Sequence, residues 1–387
     1  MRGARWLLAA VALMVVLPRF AWSEAPRPGS GDPLEELEGY VAQHPEDCEG
    51  RRLLAARYEA RGFVEEAVAE HLAVLARAPG DESAGERVRC LVAERMPAWL
   101  PGEGVEALPF AHDELGLELA SAEGQGERAR YRLLVSREGF AAREGERQDP
   151  AHEWRFERID YGYVWEPRVG RWVMRVRAHW EEGGGGEVAG AALRTALALY
   201  CTAREYLELD PTRPWEEPID LWLARGGAAG ARAVGSDVYL YSVETARPGG
   251  EWFRELAHEY GHVALPGIGG FTETDDAWAD GHLGELLFGK WLAAGGEPEW
   301  LHWSVVEWER EAAMTRQRLM AGAEGELEAA RLQGVDEGAR DYFLGLALRV
   351  EEERGPRFLG EALRRCARGR AEGFVQAARE AGVEVIG

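Results

Sequence analysis

Residues 154–180 constrain the fold more than any other part of this chain. WRFERIDYGYVW and RWVMRVRAHW alternate apolar with polar residues at a period of two and are rich in aromatics, the pattern of strands with one buried face. EPRVG lies between them and supplies a turn, so the two runs pair as an antiparallel hairpin. RYRLLVS reads as a further strand, and an antiparallel β-rich segment is expected over 104–180. The period then changes. After the Gly-rich EEGGGGE junction, residues 188–207 read as a long apolar helix. PIDLWLA reads as a buried strand, GGAAGARAVG as a loop and SDVYLYSV as a strand with one exposed face. PGGEWFRELAHEYGHVAL reads as a helix opened by a Pro-Gly turn. PGIGGFTETDD breaks it, a second helix covers 276–293, and the remainder is helical. Strands and helices in this order specify an α+β fold with a helical C-terminal lobe.

Composition narrows the partners. The net charge of −23 leaves no basic surface to neutralise phosphates, which excludes nucleic acid and disfavours anionic membranes. Arg2 and Arg5, the apolar run Trp6–Leu17 and Ala21-Trp22-Ser23 have the form of a cleaved export signal over 1–23. A run of 12 residues is short of the roughly 20 needed to span a bilayer, and no other stretch is apolar enough. The expected mature protein is therefore soluble in the periplasm or outside the cell, with no membrane span. Cys48, Cys90, Cys201 and Cys366 form no CxxC pair, so sulfur ligation of a metal is not expected, and either disulfides or free thiols fit.

Residues 24–33, EAPRPGSGDP, read as a linker. Beyond it, Ala55, Tyr58, Gly62, Ala67 and Pro79 stand at the offsets of a tetratricopeptide repeat, and Pro45 precedes Pro79 by one repeat of 34 residues. The segment 33–98 resembles one such repeat flanked by partial ones. The resemblance implies a helical unit that docks a protein partner.

HEYGH, residues 258–262, places two histidines one helical turn apart on one face, so both imidazoles can aim at a single point. Zn²⁺ accepts neutral imidazole and carboxylate ligands. Glu259 projects about 100° around the helix from His258, beside rather than on such a metal, where a general base belongs. Phe253, Leu256, Tyr260 and Val263 form an apolar stripe that packs this helix into a core.

Metzincins would need Gly at 265 and His at 268, where this chain has Leu265 and Ile268. The order helix, strand, loop, strand, HExxH helix, turn, second helix resembles instead the gluzincins, the thermolysin and aminopeptidase type of zinc peptidase. The likeness covers residues 188–387, and DYFLGLALRVEEERGPRFLGEAL is similar to the helical pair closing many of those domains. It implies a zincin-like domain with a mixed sheet, Zn²⁺ as cofactor, His258 and His262 as ligands and Glu259 as general base. It also implies an acidic third ligand from the following helix and a peptide or protein substrate. SDVYLYSV stands where that family has the edge strand that pairs with substrate. Glu285 is favoured as the third ligand, because Glu outreaches Asp from a helix at the usual axis separation of about 8–10 Å. Asp280 comes second, with a role at the helix N-terminus or on an imidazole N–H as its alternative, and His282 third. The family's W-x-x-E-G register is only approximated around Trp278 and Asp280, which keeps open a catalytically degenerate, partner-binding protein. A closed structural zinc shell with His282 is a further alternative.

Overall fold

The computed structural model describes residues 33–99, 108–120, 128–142, 156–181, 185–209, 218–227, 230–243, 249–265, 279–295, 305–322, 336–366 and 372–383. The segment 1–23 read as an export signal, nearly all of the segment 24–33 read as a linker and the stretch 266–275 lie outside the described residues. The chain divides into two compact units, Met1–Val88 and Arg89–Gly387.

The first unit contains α1 (Leu34–Gln43), α2 (Cys48–Ala60), α3 (Val64–Arg77) and the opening turns of α4 (Glu82–Trp99). Asp47 starts α2 by accepting the Glu49 backbone N–H at 3.0 Å, which satisfies a donor the helix end leaves without a partner. Gly62, at φ +76°, lets the chain reverse between α2 and α3. Ala55 and Ala67 are fully buried on this pair. Burial pushes the Glu59 carboxyl up, but bonds from His71 and Arg87 outweigh it and hold it at about 2.

In the second unit one mixed sheet organises the chain. Its strands are β1 (His112–Leu119), β2 (Ala129–Ser136), β3 (Phe140–Ala141), β4 (Arg158–Glu166), β5 (Arg171–Trp180), β6 (Ile219–Leu223), β7 (Gly230–Val234) and β8 (Asp237–Tyr241). The order is β1-β2-β4-β5-β6-β8-β7, with β3 beside β4. Pairing is antiparallel from β1 to β5, parallel for β5–β6 and β6–β8, and antiparallel again for β7–β8. The strands of 112–180 and those of 219–241 therefore share one sheet.

Parallel neighbours need a crossover. It is α5 (Gly186–Leu207), whose apolar residues pack on β2, β4 and β5 and against helices of the C-terminal lobe. Gly162 makes room for it: a Cβ there would lie 3.1–3.2 Å from Leu197 and Leu193. On the opposite face Tyr161, Tyr163 and Trp165 pack against Cys90, Ala93 and Met96 of α4. Further along that face the β5–β6 register sets Arg177 opposite Asp220 and His179 opposite Trp222. Arg177 donates two bonds to Asp220, at 2.6 and 2.7 Å, and His179 Nε2 adds a third at 2.7 Å. The His179 ring stacks on Trp222 at 3.8 Å. Burial pushes the Asp220 carboxyl up, but those partners outweigh it and hold it at about 2.

Two expectations need correction. GGAAGARAVG is not a loop throughout, because Gly230–Val234 forms β7. The reason is the turn at Gly235-Ser236, with Gly235 at φ +66°, which folds Val234 directly back onto Asp237. Nor does SDVYLYSV expose a face or form the edge. β8 lies between β6 and β7 and is buried along its length, as strands with parallel neighbours and both faces covered tend to be. The edge strand at that end of the sheet is β7.

The C-terminal lobe comprises α6 (Gly249–Ala264), α7 (Ala279–Gly295), α8 (Val305–Gly322), α9 (Asp336–Arg354), α10 (Pro356–Arg364) and α11 (Glu372–Glu380). α6 packs on β7, β8 and α5 and lies most closely against α7. Gly355 at φ +89° and Pro356 separate α9 from α10. All four cysteines are free thiols. Among the described residues no helix is long and apolar enough to cross a membrane.

Candidate metal centre and adjoining cleft

The HEYGH residues lie on the last two turns of α6, and the crossing of α6 with α7 determines what they meet. Three glycines form that crossing. A Cβ on Gly261 would lie 2.5 Å from the Asp280 carbonyl oxygen and 2.9 Å from Gly281 Cα. A Cβ on Gly284 would lie 2.8 Å from the Ala257 carbonyl oxygen and 2.9 Å from Gly261 Cα. Only glycine permits so close an approach. The contacts run in opposite directions along the two helices, so His258 faces Glu285 and His262 faces Asp280.

Each imidazole thereby acquires a carboxylate. His258 Nδ1 lies 3.2 Å from Glu285 Oε2, and His262 Nδ1 lies 2.9 Å from Asp280 Oδ1. A carboxylate accepts, so each Nδ1 carries the proton and the lone pair of each ring lies on Nε2. Both Nε2 atoms are directed to the same place: a Cβ on Gly281 would lie 2.5 Å from that of His262 and 2.7 Å from that of His258. The absence of a side chain at 281 keeps the space between them clear. Asp280, at the start of α7, also accepts the Gly281 backbone N–H at 3.0 Å, where the helix dipole favours negative charge.

Electrostatics suit ligation. Burial lowers the pKa of His258, keeping it in the neutral form that binds metals. Burial pushes the Glu285 carboxyl up, but bonds from His258 and His282 outweigh it and hold it at about 2. Arg254 Nε adds an ion pair to Glu285 at 3.3 Å. Glu259 is buried on the same helix.

The expected ligand set was His258, His262 and Glu285. Among the described residues, the groups of three whose ligand atoms come within 4.8 Å of one another are His258, His282 and Glu285. His262 is not in that group: its Nδ1 is bonded to Asp280 and its Nε2 lies at the Gly281 gap, while His282 Nδ1 stands 3.6 Å from Glu285 Oε2. Two imidazoles with Nδ1 anchored by carboxylates, and nitrogen and oxygen donors throughout, form a donor set that fits Zn²⁺.

Beside this cluster opens a cleft of about 220 Å³. His282, Glu285 and Arg254 form its wall toward the imidazoles, and Arg318 of α8 and Arg340 and Asp341 of α9 line it further out. These arginines were not anticipated. They come from separate helices, and no local pattern marks them. Gly261 and Gly284 were missed as well, although small residues spaced along HEYGH and DGHLGEL are the available signal for a close crossing. Tyr342, which follows Asp341 on α9, is buried in the main core.

Comparison with family models, with curated proteins and with solved structures found no match to this chain.

Proposed function

We propose that this protein is an exported zinc-dependent peptidase of gluzincin-like architecture, with a tetratricopeptide-like helical unit at its N-terminal end for docking a partner. The observation that carries this reading is the convergence of His258 and His262 Nε2 on the gap at Gly281, each ring held from behind by a carboxylate. Zn²⁺ held there would acidify a water and polarise a peptide carbonyl. His258 and His262 supply the ligating nitrogens. Asp280 fixes the tautomer and orientation of His262, and Glu285 either fixes His258 in the same way or joins the ligands. Glu259 receives the proton of the attacking water and returns it to the leaving amine. The antiparallel edge strand β7 lies on α6, where an extended peptide can add to the sheet by backbone hydrogen bonds. Support for the N-terminal reading comes from the α2–α3 hairpin, with its turn at Gly62 and buried Ala55 and Ala67.

The test is Glu259→Gln. The purified parent should hold about one zinc per chain and hydrolyse peptides, and the variant should keep its zinc while losing about 10²–10⁴-fold in rate. A zinc-free parent, or a variant as active as the parent, overturns the proposal. One observation favours a second reading: His282 lies beside His258 and Glu285, and with His262 it would complete a closed structural shell. His282→Ala separates the two. Unchanged zinc content and turnover support an open catalytic site, whereas loss of both metal and thermal stability supports a structural one.

A further inference from the structure

The cleft beside the imidazoles has a chemistry of its own. Its lining brings together guanidinium groups from three helices, Arg254 on α6, Arg318 on α8 and Arg340 on α9. Two of them are engaged: Arg254 with Glu285 at 3.3 Å and Arg340 with Asp341 at 3.2 Å. Arg318 is exposed, lines the cleft and has no ion pair among the described residues. In a chain of net charge −23, three arginines against two carboxylates are a local excess of positive charge. Leu286, Leu319 and Leu344 supply an apolar floor. The cavity of about 220 Å³ is smaller than the roughly 300–1,000 Å³ that encloses a whole small molecule. It takes one group of a larger ligand: a short apolar stem with an anionic head, which a guanidinium fork matches.

We infer that this cleft is a specificity subsite for a substrate carboxylate, with Arg318 as its main contact. The inference rests on the peptidase reading for the word substrate, but the cleft's recognition of carboxylate stands on its own residues. The carboxylate belongs either to an acidic side chain near the scissile bond or to the C-terminus of the peptide.

Three fluorescent hexapeptides test it: an all-neutral amidated peptide, the same with one internal Glu, and the same with a free C-terminus. Affinity is read on the metal-free full-length protein, and hydrolysis separately on the zinc-loaded protein. One carboxylated peptide should bind about 10–100-fold more tightly than the neutral one, as a charge-assisted bond allows, and which one does so identifies the source. Arg318→Ala should remove most of that preference and Arg318→Lys should restore part of it. Equal binding of all three peptides overturns the inference, as does a preference that survives Arg318→Ala. A preference that depends on Arg318 without hydrolysis upholds the subsite and counts against the peptidase. Hydrolysis without preference does the reverse.

Discussion

Asp220 accepts from a half-buried guanidinium and a buried imidazole at once, so its charge is bound to the integrity of the sheet. Its carboxyl is held at about 2 against an ordinary 3.8. A folded-state value below the unfolded one gives stability that is full above the unfolded pKa and lost as pH falls through the folded one. The window is therefore pH 4 to 2. The shift corresponds to about 2 kcal/mol. Asp220→Asn should cost about 3–5 kcal/mol at neutral pH, because it leaves Arg177 partly buried without its partner. In urea titrations, the gap between parent and variant should narrow by about 2 kcal/mol on going from pH 4 to pH 2. A constant gap would show that the charge does not act this way. None of this was legible in the sequence. Arg177, His179 and Asp220 read as ordinary strand residues, and only the β5–β6 register joins them. His258, Glu259 and His262 were legible because a single helix positions them. The division of Asp280 and Glu285 between the two imidazoles was not, since it depends on how two helices cross.

At the scale of elements, the α6–α7 crossing decides between reach and proximity. The preference for Glu285 as the third ligand assumed an ordinary axis separation. Gly261, Gly281 and Gly284 bring the helices closer, and the shorter Asp280 then reaches His262. The glycines predict two different kinds of damage. At 281 a methyl would meet the far ends of the imidazoles, which can turn. Gly281→Ala should leave the melting temperature of the metal-free protein nearly unchanged while weakening the proposed zinc binding about 10–100-fold. At 261 and 284 a methyl would meet backbone, which cannot yield without separating the helices. Gly261→Ala and Gly284→Ala should each cost about 1–3 kcal/mol, read as a drop of several degrees in calorimetry. If Gly261→Ala melts with the parent, the crossing is looser than its contacts indicate. β7 shows the opposite limit of sequence reading. Its Gly/Ala composition argued against a strand, and the two-residue Gly235-Ser236 turn, a hairpin signal in its own right, outweighed propensity.

For the molecule as a whole, the sheet and α5 make one structure of what the sequence divides at about residue 188. The β-rich segment and the lobe carrying HEYGH read as successive blocks because strand order along the chain does not reveal that β6 pairs with β5. Separating the blocks would strip β6 of its neighbour and expose the face of α5 that packs on β2, β4 and β5. A fragment of residues 188–387 should therefore fail to fold, binding a hydrophobic dye and lacking near-ultraviolet circular dichroism. A fragment of 89–387 should unfold in one cooperative transition. A well-folded 188–387 fragment would show that the sheet is dispensable to the site.

Consider, finally, what the close crossing means for anyone who would move this centre elsewhere. Copying the pentapeptide HEYGH onto a helix of another scaffold copies two rings without their backing. The facing helix, with its carboxylates and its two gaps at 281 and 284, is as much a part of the proposed centre as the histidines. A saturation scan that scores metal retention should mark three residues with no functional group, Gly261, Gly281 and Gly284, among its most intolerant positions. The smallest transferable unit is thus a pair of helices in a fixed antiparallel offset, and it is defined as strictly by where atoms are missing as by where ligands stand.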